Sequence, residues 1–194
     1  MDRVPVLDRV RERFDSLLTP LGSWFSRLVP YPTAWTLVGL IVSVLAGFAY
    51  SAGHYRGELL GGVLVLVSGF FDIVDGAVAR ATGRASRRGA FLDSTMDRVA
   101  EVALFAGLLL GGFGTPLAVL LALSASLLVS YTRAKGDALG VALSGVGIGE
   151  RSERLLIIAV ASILGVAEWG VLLVILAATY TFLERTARAA RKLA

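Results

Sequence analysis

The sequence predicts an all-α integral membrane protein: six transmembrane helices preceded by an N-terminal amphipathic helix at the membrane interface. Three observations predict it. The chain has 194 residues, of which 56% are hydrophobic, and its mean hydropathy of +0.74 is far above that of a soluble domain. Its apolar residues gather in segments at or near spanning length. Its cations fall almost wholly in alternate connections between those segments.

Residues 1–30 mix acids and bases with no apolar core and no small-residue cleavage site, so no signal peptide is expected there. Val6, Val10, Phe14, Leu17, Leu18, Leu21 and Phe25 recur at helical spacing, with Arg9, Arg11, Arg13 and Asp15 between them. That pattern describes a helix lying on the cytoplasmic face. Pro30 and Pro32 break it ahead of the first span. The expected organisation is a juxtamembrane helix over residues 1–30 and a membrane domain over residues 31–194.

The first three spans, Thr33 to Ala52, Glu58 to Ala79 and Ala90 to Phe113, reach the ~20 residues that a spanning helix needs. The next three, Pro116 to Tyr131, Leu155 to Trp169 and Val171 to Leu183, are shorter, and snorkelling Arg154 and Arg185 can extend the last two. Little chain separates the fifth span from the sixth. Arg80, Arg84, Arg87 and Arg88 follow span two; Arg133, Lys135, Arg151 and Arg154 follow span four; Arg185, Arg188, Arg191 and Lys192 follow span six. The opposite connections carry only Arg56, which places both termini and the basic connections in the cytoplasm of a multi-pass plasma-membrane protein. The net charge of +4 is therefore a topology signal and an attraction to anionic lipid, with no nucleic-acid partner implied. There is no cysteine, which excludes disulfides and thiolate chemistry, and the single histidine, His54, falls on the non-cytoplasmic side.

Against this apolar background stand Asp72, Asp75, Asp93 and Asp97. A charged side chain near the bilayer centre costs roughly 2.5–3.5 kcal/mol on insertion scales, so four carboxylates must line a polar cavity, bind cations, or both. Asp72 and Asp75 are three residues apart and Asp93 and Asp97 four apart, so each pair shares one helix face and two facing pairs would make a cage. Oxygen-only ligation suits Mg²⁺ or Mn²⁺, and two such ions ~3.5–4 Å apart form a phosphoryl-transfer clamp. Gly76 leaves room for a phosphate beside Asp75, and the segment from Arg80 to Arg88 is strongly cationic. Metal, a cationic surround and a cytoplasmic opening together point to phosphoryl or phosphatidyl transfer to or from a lipid. Two other readings are open: carboxylates paired with Arg80 and Arg98, although ligand spacing around a glycine-containing basic segment exceeds what ion pairs need, and a divalent-cation transporter. Transport would favour acids spread through the membrane and charge at both mouths, which this chain does not have.

The run from Asp72 to Asp97 reads D-x2-D-G-x2-A-R-x8-G-x3-D-x3-D, with Asp72, Asp75, Gly76, Ala79, Arg80, Gly89, Asp93 and Asp97 at the fixed positions. It resembles the signature of the CDP-alcohol phosphotransferases, and the likeness extends over nearly the whole chain. The resemblance implies displacement of CMP from a CDP-linked lipid by the hydroxyl of a polar alcohol. It makes Asp72, Asp75, Asp93 and Asp97 ligands of two divalent ions, with Asp97 also the general base. It places Gly76, Ala79, Arg80, Gly83 and Ser86 at the CDP-lipid together with Asp72, Pro32, Thr33 and Thr36. The family often has Pro-Asn opening span one; here Pro32 is followed by Thr33, whose hydroxyl can still hydrogen-bond. The family also implies a homodimer.

The acceptor is read from the remaining cytoplasmic cations. Several of them near one mouth suit an acceptor with its own phosphate, because an arginine fork grips phosphate bidentately, though they also serve as topology markers. The runs S-Y-x-R-A-K from Ser130 and G-x-G-E-R-x-E-R-L from Gly147 resemble the inositol-phosphate-using branch, the phosphatidylinositol-phosphate and archaetidylinositol-phosphate synthases. That resemblance implies inositol-1-phosphate as acceptor, its phosphate held by Lys135, Arg154 and Arg185 with Ser130 and Arg133 nearby. Arg188, about one turn from Arg185, competes for that place. Glycerol-3-phosphate, which also carries a phosphate, is the alternative acceptor.

Overall fold

The structure, a computed structural model, describes residues 18–193. They form helix α1 (residues 18–28), α2 (Pro32–Ser51), α3 (Tyr55–Ala81), α4 (Arg87–Leu110), α5 (Pro116–Ala138), α6 (Arg151–Ile163) and α7 (Ala167–Leu193). Pro32 opens α2, a position where its missing N–H leaves no helical bond unmade. Val6, Val10, Phe14 and Leu17 of the expected interfacial helix lie outside the described residues. Within α1, Leu18, Leu21 and Phe25 are half-buried while Thr19 and Arg27 are exposed.

Among the described residues, four helices, α2, α3, α5 and α7, are long and apolar enough to cross a membrane. They expose much of their apolar surface: Leu117, Leu120, Leu121 and Leu128 on α5, and Leu172, Leu173, Leu176 and Leu183 on α7. In water such stripes would be penalised; against lipid tails they are matched to their surroundings. Helix α4 carries both Asp93 and Asp97 and several arginines within its 24 residues, and α6, with 13 residues, is only ~20 Å long.

The boundary between the last two helices differs from expectation. Span five was expected to run to Trp169, but α6 ends at Ile163. Gly165 sits at φ +74, its N–H bonds the Ser162 carbonyl and that of Val166 bonds the Ala161 carbonyl. This is a Schellman stop, which needs the left-handed residue that glycine supplies. Glu58 then accepts the backbone N–H of Ala167 at 2.7 Å, satisfying a donor at the start of α7.

The chain divides into two compact units. Among the described residues, the first comprises residues 18–41 and Ser68–Asp97. It is held by an aromatic group in which Phe25 meets Trp35 edge-on at 4.9 Å and Trp35 stacks on Phe71 at 5.9 Å. Gly22 lies against the carbonyl of Ala77 where no Cβ would fit. The loop after α3 is tied down by Arg84, which donates to the Pro30 carbonyl at 3.1 Å and covers the Tyr31 ring.

The second unit comprises Val42–Val67 and the chain from Arg98. Ala46, Tyr50, Leu104, Phe105, Leu108, Ile158, Val171 and Val174 are the heart of its core, and α7 packs on α5 and α6. Tyr50 and Ser162 share a buried hydrogen bond of 2.7 Å, a requirement for any hydroxyl so enclosed. Gly47 and Gly107 let two helix backbones touch, as small residues do between membrane helices. A Cβ at Gly107 would fall on the Gly47 backbone. Gly107→Val should therefore destabilise by about 1–3 kcal/mol, read as a fall of several degrees in the melting temperature of the detergent-purified protein; an unchanged midpoint would mean that this contact is looser than described.

Candidate active site

Residues of α3 and α4 in the first unit build the acidic centre. Helical spacing stacks Asp72 and Asp75 on one face of α3, and Asp93 comes to them from α4. One carboxylate oxygen from each of the three lies within 4.8 Å of the others. Asp75 is buried, while Asp72 and Asp93 are half-buried. Asp97, half-buried one turn further along α4, is outside that three-residue group. Of the four carboxylates expected to form a cage, three converge and the fourth lies one turn further along α4. Three hard oxygen donors at this separation fit a divalent cation of the Mg²⁺ or Mn²⁺ kind, because repulsion among carboxylates so close is relieved by a shared positive charge.

Thr36, expected at the donor lipid, has a more specific task. Its hydroxyl donates to Asp75 Oδ2 at 2.7 Å, with the Pro32 carbonyl more distant at 3.4 Å. One oxygen of Asp75 is thereby fixed in direction, as outer-shell partners fix metal ligands. Pro32 and Thr33 stand in the first turn of α2, Pro32 half-buried and Thr33 exposed. Gly76 has only the Arg80 guanidinium near the place a Cβ would occupy, 3.5 Å away, so an open face lies beside Asp75 and beneath a cation. Ala79 is half-buried and Arg80 exposed. Gly83 adopts φ +64, and Ser86 caps α4 by accepting the Gly89 N–H at 3.1 Å. The role of Ser86 in the structure is thus to start the helix that carries Asp93.

The residues expected at the acceptor all belong to the second unit. Arg133 and Lys135 are exposed near the end of α5, and the Ser130 hydroxyl donates to the Ser126 carbonyl at 3.2 Å. Arg154 and Arg185 differ from them, since they are 1% and 2% exposed. Both are built into the connection before α6. Arg154 donates from Nε and Nη2 to Glu101 Oε1, at 3.1 and 2.5 Å, and from Nη1 to the Gly149 carbonyl at 2.6 Å. Arg185 donates from Nε to the Val146 carbonyl, from Nη1 to the Val129 carbonyl and from Nη2 to Glu150 Oε1, at 2.9, 3.2 and 2.7 Å. Arg188, the competing candidate, is exposed and only 3.7 Å from Glu184, a solvated helix pair.

The same connection is clamped to α7. Thr181 Oγ1 accepts the N–H groups of both Ile148 and Gly149, at 3.1 and 2.9 Å. Gly147, at φ +91, lies where any side chain would strike Thr181, and Gly149 lies against the Ala177 carbonyl. The G-x-G preceding Glu150 is therefore a close-packing requirement. Sequence reasoning missed Glu101, Glu150 and Thr181 as partners. Glu101 had a signal: it follows Asp97 at the same four-residue interval that separates Asp93 from Asp97. Thr181, a lone hydroxyl in an apolar run, had none.

Comparison with known proteins agrees with this architecture. The chain is 34% identical to the archaetidylinositol phosphate synthase of Pyrococcus horikoshii over 97% of its own length and 98% of that protein's. It resembles the crystal structure of the Mycobacterium tuberculosis phosphatidylinositol phosphate synthase with CDP-DAG bound, with a TM-score of 0.78 and 28% identity over 90% of this chain and 94% of that one. The same mycobacterial enzyme in complex with manganese and citrate gives a TM-score of 0.79 and 29% identity over 89% and 88% of the two chains. Residues 30–185, which contain both the carboxylate centre and the guanidinium network, match the family described as CDP-alcohol phosphatidyltransferase. The chain belongs to the CDP-alcohol phosphatidyltransferase family.

Proposed function

We propose that this phosphatidyltransferase moves a phosphatidyl-type group, diacylglycerol phosphate or archaeol phosphate, from a CDP-linked lipid to inositol-1-phosphate, with release of CMP. The observation that carries the reading is the convergence of Asp72, Asp75 and Asp93 in a chain similar over nearly all its length to synthases of inositol-phosphate lipids.

Two divalent ions, Mg²⁺ or Mn²⁺, held by Asp72, Asp75, Asp93 and Asp97 would neutralise the diphosphate and stabilise the CMP leaving group. The chain's own groups do the rest. Thr36 fixes the direction of Asp75, Gly76 leaves space for the diphosphate, and Arg80 supplies positive charge above it; Pro32, Thr33, Ala79, Gly83 and Ser86 complete the donor's surroundings. Asp97 takes the proton of the inositol hydroxyl as its oxygen bonds to the lipid-side phosphorus. The bond between that phosphorus and the CMP oxygen breaks, and CMP leaves with the electron pair. The acceptor phosphate is assigned to Lys135, Arg133 and Ser130 with Arg154 and Arg185. A guanidinium has five N–H donors, so Arg154, after three bonds, retains one on each Nη, a pair suited to phosphate oxygens.

The reading places six spans in the plasma membrane, counting α4 and α6 with the four long apolar helices. Both termini and the reactive residues face the cytoplasm, with residues 1–30 as an interfacial helix, residues 31–194 as the catalytic domain, and a homodimer as the working form. Support comes from the one-sided distribution of cations.

With CDP-lipid and Mg²⁺, purified protein should release CMP with inositol-1-phosphate and not with free inositol or serine; release with glycerol-3-phosphate alone would transfer the assignment to that acceptor. Asp97→Asn should lower turnover by about 10²–10⁴-fold while the oxygen donor that asparagine keeps preserves part of the Mn²⁺ binding, followed by electron paramagnetic resonance. Wild-type turnover in that variant would remove Asp97 from the reaction. Thr36→Val should weaken Mn²⁺ binding by about tenfold or more, the usual effect of losing an outer-shell partner; an unchanged Mn²⁺ affinity would assign the Thr36 hydroxyl elsewhere.

A further inference from the structure

Among the buried charged residues of the second unit, Glu101 has no part in the reaction derived so far. It is 1% exposed, and it accepts two hydrogen bonds from one side chain, from Arg154 Nε and Nη2 to the single oxygen Oε1. Oε2 has no hydrogen-bond partner among the described residues. The contrast with Glu58, also buried, is informative: Glu58 accepts a backbone N–H and so serves the start of α7. Glu101 serves a guanidinium.

Stability is a poor explanation of that arrangement. A buried ion pair is often matched or bettered by apolar residues of similar volume, because both charges lose their hydration. If stabilisation were its use, a fork-to-fork pair would satisfy both oxygens, whereas here one carboxylate oxygen takes two donors and the other takes none. What the geometry does achieve is direction. Glu101 occupies the Nε edge of Arg154, and Gly149 takes one donor of Nη1. The plane of the guanidinium is thereby set by two elements, α4 and the connection before α6, and the donors left over sit on Nη1 and Nη2.

We propose that Glu101 is a positioning residue for the acceptor, acting through Arg154: it orients the guanidinium so that its remaining Nη donors meet the phosphate of the incoming alcohol. This rests on the acceptor reading given above. It makes Glu101 a determinant of selectivity for phosphate-bearing acceptors, and it predicts that removing its charge or its acceptor geometry weakens the acceptor without touching the CDP-lipid.

The test is steady-state CMP release by full-length protein in detergent, with inositol-1-phosphate and CDP-lipid varied in turn, for wild type, Glu101→Gln, Glu101→Asp, Arg154→Gln and the double variant Glu101→Gln/Arg154→Gln. Glu101→Gln should raise the KM for inositol-1-phosphate by about tenfold or more, the loss expected of one charge-assisted hydrogen bond, with the KM for CDP-lipid within about twofold of wild type. Glu101→Asp, which keeps the charge, should recover part of the loss. In the Arg154→Gln background Glu101→Gln should add nothing, because its effect passes through that guanidinium. If Glu101→Gln fails to fold with Arg154 left unpaired, Glu101→Met/Arg154→Met removes both charges; it should fold, keep the CDP-lipid KM and show the same acceptor defect as Arg154→Gln. A wild-type acceptor KM in Glu101→Gln, equal rises in both KM values, or additive effects of the two substitutions would overturn the positioning role while leaving the acceptor reading intact. No CMP from wild type with any phosphate-bearing acceptor would bring down the acceptor reading, and the role of Glu101 with it.

Discussion

The constraint on which this structure depends is that charge inside apolar helices must be compensated within the protein. A carboxylate or guanidinium withdrawn from water is tolerated only if paired, bonded or bound to an ion. The chain meets that requirement in two chemically opposite ways. In one unit, Asp72, Asp75 and Asp93 crowd together, an arrangement of like charges that a bound cation would relieve. In the other, Arg154 and Arg185 are buried and held by Glu101, Glu150 and the carbonyls of Val129, Val146 and Gly149. The first offers oxygen donors to a ligand from outside; the second closes mostly upon itself.

Close approach of backbones makes both arrangements attainable. Glycine at 22, 47, 107, 147 and 149 removes the side chain wherever one element rests on another, against Ala77, Ala103, Gly47, Thr181 and Ala177 respectively. In a membrane the hydrophobic effect does little to draw helices together, so close packing and hydrogen bonds take its place. Gly147 and Gly149 show the two acting jointly: the absence of side chains lets Thr181 reach two backbone N–H groups, and the connection so held presents its carbonyls to Arg154 and Arg185.

These features suit the chemistry of the family. Phosphoryl-group transfer asks little covalent work of a protein; it asks for positioned charge around a diphosphate and for an aligned attacking hydroxyl. A carboxylate cluster whose member Asp75 is directed by Thr36, and a guanidinium directed by Glu101, are two instances of the same device, in which the group expected to meet a ligand is aimed by a neighbouring side chain.

Much of this was legible in the sequence. Hydropathy and the one-sided cations identify a multi-pass membrane chain, because lipid imposes length and composition on any helix that crosses it. The aspartate run marks where the carboxylate cluster forms, because spacing of three or four residues places side chains on one helix face whatever the fold. Local rules reach no further than one helix, which is why the stop at Gly165 was misplaced among apolar neighbours and why the bond from Thr36 to Asp75 could not be foreseen. The pairing of Thr36 with Asp75, of Glu101 with Arg154 and of Glu150 with Arg185 joins residues 39, 53 and 35 positions apart. Periodicity along a helix fixes which face a side chain occupies, but which face of another helix it meets is decided by packing between elements, and only the tertiary structure contains that.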